Sequence, residues 1–134
     1  MNDGIHQQVT ELQKAYQGLE KVTTTNNEIV ISGFVSFSST PDGLENICET
    51  FKLEIHIPNN YPDQLPYVME LEGNIDKEFH HLNDDATLCL AVPMEMIRIF
   101  QETPTPLGFL ERLVIPYLYG YCDWKKHAVM SFGE

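Results

Sequence analysis

The residues able to do covalent chemistry concentrate in one stretch of the chain, His80-His81-Leu82-Asn83-Asp84-Asp85-Ala86-Thr87-Leu88-Cys89-Leu90. It sets a thiol, Cys89, between two leucines and just after a polar cluster with two adjacent histidines. A thiolate is a strong nucleophile, but a free cysteine with a pKa near ~8.5 is only a few per cent ionised at neutral pH. A protonated His80 or His81 beside Cys89 would favour the thiolate, and Asp84 or Asp85 would disfavour it. A free cysteine between leucines is ordinarily a small buried hydrophobe. The turn-forming Asn83-Asp84-Asp85 cluster, followed by the short extended segment Thr87-Leu88-Cys89-Leu90, favours instead a thiol at the rim of the fold. Cys89 is therefore the expected nucleophile. Cys48 and Cys122 have no such company and read as structural. His80 and His81 have neither the i,i+4 spacing nor a nearby CxxC that would make them metal ligands, so no metal and no cofactor are expected.

The elements that position this stretch follow from periodicity. Ile5, Val9, Leu12, Tyr16 and Leu19 are spaced four, three, four and three, one apolar stripe on a helix that Gly18 limits. Thr23 to Asn27 reads as a loop. Glu28 to Phe37, Glu49 to Ile57 and Tyr67 to Glu72 alternate as strands, giving an antiparallel meander of three to four strands. Pro58, Pro62 and Pro66 fall within nine residues and make the connection before the last strand stiff and unable to join a ladder. Met94 to Glu102 reads as a short helix or irregular turn. Thr105 and Pro106 then supply a cap and a first helical position. The next helix buries Phe109, Leu110, Leu113, Val114, Tyr117 and Leu118, and Pro116 is expected to kink or end it. The tail after Trp124 reads as irregular. Helices flanking a meander imply an α+β fold, with the helices on one face or end of the sheet.

Composition narrows the function classes. The 134 residues, 43% hydrophobic, form one domain without a linker, a repeat or an apolar run long enough to cross a bilayer. Met1-Asn2-Asp3-Gly4 lacks the parts of a signal peptide, and three widely spaced cysteines make no disulfide framework. A reducing cytoplasm is the expected location. A net charge of -12 argues against nucleic acid or an anionic membrane as partner.

Taken in order, the strand ending Ile57-Pro58, the Tyr61-Pro62 to Pro66 loop, and the His-containing turn before Thr87-Leu88-Cys89-Leu90 resemble the ubiquitin-conjugating enzymes. The resemblance runs from the first helix to the helix at 105 to 121 and implies a ubiquitin-conjugating-enzyme-like α+β fold over residues 1 to 134. It implies that Cys89 carries a thioester with the C-terminal glycine of a protein and passes it to an amine. In that family a His-Pro-Asn tripeptide precedes the cysteine; its asparagine, eight residues before, corresponds to His81 here and its proline to His80. The donor credited with holding the oxyanion is thus replaced, by His81 or by Asn83. His80, Asp84, Asp85 and Thr87 are the expected substrate contacts, and Asp84 or Asp85 could orient or deprotonate an incoming lysine.

The missing tripeptide is similar to the bacterial branch of the family. Pro116-Tyr117-Leu118-Tyr119, Trp124 and Phe132-Gly133-Glu134 resemble stand-alone members from antiphage CBASS operons. That implies as partner the C-terminus of a cGAS-like nucleotidyltransferase or of a ubiquitin-like protein. Two other readings stay open: a catalytically inactive binding module of the same fold, docking through the Pro-rich loop and first helix, and a cysteine hydrolase.

Overall fold

The computed structural model describes residues 4–39, 46–76, 78–79, 82–83 and 85–133, with side chains to residue 127. The chain is α+β: an N-terminal helix, a four-stranded antiparallel sheet and C-terminal helices. Helix α1 (Ile5–Ala15) is followed by β1 (Lys21–Thr24), β2 (Glu28–Ser39), β3 (Ile47–Pro58) and β4 (Tyr67–Glu70), hydrogen-bonded in that order. After the Cys89 segment come α2 (Pro93–Glu102) and α3 (Pro106–Phe109), then a π-helical turn (Leu110–Val114) and α4 (Ile115–Gly133).

Alternation decides which face of the sheet is buried. Ile29, Ile31, Val35 and Phe37 of β2 and Phe51, Leu53, Ile55 and Ile57 of β3 point inward. They share one core with Ile5, Val9 and Leu12 of α1 and with Phe109, Leu110, Val114 and Leu118. Each such aliphatic side chain stabilises the fold by about 1.5–3 kcal/mol when fully buried. Gly33 interrupts the inward series of β2 with a φ of 150°. Its vacant side-chain position is filled by the chain leaving α1: a Cβ on Gly33 would stand 2.0 Å from the Gly18 carbonyl oxygen, and the Phe34 N–H donates to that oxygen at 3.0 Å. Backbone lies directly on backbone there.

On the opposite face, the His56 ring stacks on Tyr67 with centroids 4.6 Å apart. His56 Nδ1 lies 2.9 Å from Glu28 and Nε2 lies 2.6 Å from Glu54, and the Tyr67 hydroxyl donates to Glu28 at 2.8 Å. This network clamps β2, β3 and β4 side by side.

Three sequence expectations are corrected. Thr23 and Thr24 are not loop but the end of β1, paired with Val30 and Ile29; all four β1 residues are exposed, so no alternation marks the strand. Of the kink or end expected at Pro116 the end does not occur, a π turn preceding it instead, and the tail is not irregular but continues helical to Gly133. The π turn explains why. Its wide turn, closed by the Ile115 N–H donating to the Leu110 carbonyl, makes room for a ring that would collide with the Arg112 carbonyl in a regular helix. The expected cap holds: Thr105 Oγ1 accepts from the Gly108 N–H at 3.0 Å, with Pro106 in the first turn.

Candidate functional site

The segment carrying Cys89 hangs on the edge strand β4. The Leu88 N–H donates to the Val68 carbonyl at 2.9 Å, and Leu82 pairs with Leu88 in an antiparallel bridge. At the tip of this small hairpin the Asn83 carbonyl accepts from the Ala86 N–H, and the Asn83 N–H donates to the Thr87 carbonyl, both at 2.9 Å. Ala86 takes the left-handed conformation, φ 69°, that closes a turn of this kind. Side chains lock the tip. Asn83 Nδ2 donates to Thr87 Oγ1 at 2.9 Å, and Thr87 donates to Asp85 through its hydroxyl at 2.6 Å and its N–H at 3.1 Å. Those two bonds from Thr87, the hydroxyl's first, hold the Asp85 carboxyl below its ordinary pKa. A carboxylate of lowered proton affinity is a weaker base, so Asp85 is suited to fixing the turn more than to deprotonating an amine.

Cys89 emerges half-buried from this hairpin, at one wall of a groove of about 320 Å³. Phe79, Leu90, Ile99 and Leu113 make the groove largely apolar, and Arg112 and Tyr117 are its polar members. Arg112 reaches it from the π turn, steadied by an ion pair with Glu102 at 2.6 Å. Tyr117 follows on the first turn of α4, its ring edge-on to Phe79 with centroids 5.5 Å apart. Burial pushes the Tyr117 hydroxyl well above its ordinary pKa, and the neighbouring Cys89 and Tyr121 push it further. Tyr117 is therefore a phenol, a hydrogen-bond donor, throughout the neutral range. Such a groove can seat an extended acyl chain against the thiol, with a cation and a phenol near the reacting carbonyl.

The Pro-rich loop packs against α1 and α2. Tyr61, before a cis peptide bond to Pro62, is buried; its hydroxyl donates to Gln8 of α1 at 3.1 Å and its ring meets Phe100 of α2 edge-on at 5.8 Å. Between this loop and α2 lies a larger groove of about 740 Å³, lined by Pro62, Leu65, Pro66, Met96, Ile97 and Phe100. Val92, Met94 and Ile97 are exposed in the same segment.

Of the expected site residues, Cys89, Asn83, Asp85 and Thr87 fall within one hairpin. Only Cys89 lines the groove; Asn83, Asp85 and the buried Thr87 bond among themselves. His80, His81 and Asp84 lie outside the described residues. Arg112 and Tyr117 were not among the expected site residues. The Tyr117 stripe reads as core, and the π turn that brings both to Cys89 leaves only Pro116 as a trace in the sequence. Among the described residues no group of three or more His, Cys, Asp or Glu is arranged to hold a metal ion, and no helix is long and apolar enough to cross a membrane. The chain matches no protein-family model, no curated protein and no solved structure.

Proposed function

We propose that the chain is a cysteine-dependent acyl transferase of the ubiquitin-conjugating kind. Cys89 takes the C-terminal glycyl group of a protein as a thioester and passes it to an amine. The observation that carries this reading is the place of Cys89: a half-buried thiol presented by a locked hairpin at the wall of an extended apolar groove. The order of elements supports it further, a helix, an antiparallel meander with a Pro-rich loop, then the thiol and helices. The bacterial antiphage type, with a cGAS-like nucleotidyltransferase as partner, is the particular form proposed; it rests on the sequence resemblance. No cofactor is needed, because the incoming acyl group is already activated. Incubation with the partner protein and its activated C-terminus should give an adduct on a non-reducing gel that thiols remove. Cys89→Ser should abolish it. Persistence of the adduct and of biological activity in Cys89→Ser would end this reading.

One observation favours a second reading, a binding module without catalysis. The groove beside the Pro-rich loop is larger than the one at Cys89 and carries exposed apolar side chains on α2. In that case Cys89→Ser leaves function intact, and Ile97→Asp removes it.

A further inference from the structure

We infer that Gly120 selects the acyl donor: without a side chain there, an extended peptide tail can cross α4 within the groove that holds Cys89. The inference rests on the transferase reading above and names a specificity residue for it. Glycine is, after proline, the poorest helix former, and Gly120 stands inside the long helix α4. At four other positions the fold explains the glycine. Gly18, Gly33 and Gly108 each have a backbone oxygen within 2.3 Å of where a Cβ would stand, and Gly73 takes a φ of 68°. Neither reason applies at Gly120. It is exposed, its φ is not positive, and a Cβ there would meet nothing within 4 Å.

What the missing side chain keeps open is the Cys89 groove, which Gly120 lines together with Pro116, one turn earlier on the same face of α4. A helical side chain leans back over the turn before its own Cα. A side chain at position 120 would therefore lie over Pro116 and Tyr117, across the groove that both of them line. Proline and glycine thus occupy two positions from which α4 would otherwise send a long side chain into that space. At about 320 Å³ the groove reaches the size of pockets that take a whole small ligand, so it has room for residues beyond the one acylated glycine. Leu90, Ile99 and Leu113 give such a tail apolar contact.

The test uses the full chain and two thioesters of mercaptoethanesulfonate, one of an acetyl group and one of a hexapeptide of small residues ending in glycine. With either donor the Cys89 thiolate attacks the carbonyl carbon, a new S–C bond forms, and the bond to mercaptoethanesulfonate breaks. The expelled thiolate takes from water the proton that Cys89 had released. Gly120→Leu should lower the ratio of peptide to acetyl loading rates by at least ~10-fold, the discrimination that a few methylenes bring about in a pocket. Gly120→Ala should lower it less. Both substitutions should raise the urea midpoint, because alanine and leucine are better helix formers than glycine and nothing crowds them. An unchanged ratio in Gly120→Leu would overturn the inference and leave the transferase reading standing. So would a urea midpoint below wild type, because Gly120 would then be a packing residue. If wild-type Cys89 reacts with iodoacetamide yet takes up neither acyl group, the transferase reading falls and the inference falls with it.

Discussion

Ala86 is, among the described residues, the one non-glycine with a positive φ, and it stands three positions before Cys89. A Cβ in the left-handed region costs roughly 1–2 kcal/mol, since it crowds the following carbonyl. The hairpin tolerates this because Asn83, Asp85 and Thr87 hold the tip by five hydrogen bonds, two of them main chain to main chain. Ala86→Gly should therefore stabilise the protein by about 0.5–1 kcal/mol, the relief of strain exceeding the added freedom of the unfolded chain. Urea denaturation measures it; a lower midpoint for Ala86→Gly would mean that Ala86 is not strained. Thr87→Val should act in the opposite direction, because it keeps the shape of a buried side chain but takes the acceptor from the Asn83 amide and leaves Asp85 only the bond from the backbone N–H.

Among the elements, the contact between the α1–β1 connection and β2 is the tightest. A Cβ added to Gly18 would stand 2.1 Å from the Phe34 carbonyl oxygen, and neither backbone can move without disturbing a strand flanked on both sides. Gly18→Ala should cost roughly 1–3 kcal/mol, the range of overpacked interiors with backbone displacement. A thermal melt within a degree of wild type would show that the crossing yields. In the sequence Gly18 reads only as the limit of a helix, and Gly33 lies unremarked within the strand from Glu28 to Phe37; that the two meet is a property of the fold. The long alternations of β2 and β3, the stripe of α1 and the Thr105-Pro106 start were legible because burial imposes a period or a cap imposes a residue type. β1 was not legible, because an exposed edge strand of Lys, Val and Thr has no buried side to reveal it. The expectation that Pro116 would kink or end the helix met the reverse case: the rule that proline breaks helices is sound for a regular turn, and the π turn removes the collision on which it depends. Arg112 and Tyr117 stand more than twenty positions after Cys89, and no local pattern joins them to it.

For the molecule as a whole, stability should fall on the acid side. Partial burial works against a charge on Glu28, but hydrogen bonds from Tyr67 and His56 and the charge of His56 outweigh it and hold its pKa below 4.5. Asp85 is lowered as well, by Thr87. A carboxyl with a lower pKa in the folded than in the unfolded chain binds fewer protons when folded. Its contribution is complete above the unfolded value and is lost as the pH drops through the folded one. The urea midpoint should thus be level near neutrality and decline below about pH 4.5, with Glu28→Gln giving a lower plateau and a shallower decline. Parallel curves for Glu28→Gln and wild type would remove the Glu28 network from the account. At neutral pH the net charge of -12 adds a mutual repulsion that salt screens, so the plateau should rise modestly with ionic strength.

Cys122 sits half-buried on α4 beside Glu49 of β3, with its pKa raised to about 11, first by burial and then by that carboxylate. Burial and the Glu49 carboxylate keep its thiol largely un-ionised near neutral pH, so Cys122 is a weak nucleophile while α4 is seated. Cys48, exposed at the end of the β2–β3 ribbon where the two strands connect, needs no unseating of α4. The chain thus carries a gauge of its own breathing. A rise in the labelling rate of Cys122 relative to Cys48 therefore reports loosening of α4, the helix that also carries Tyr117 of the Cys89 groove.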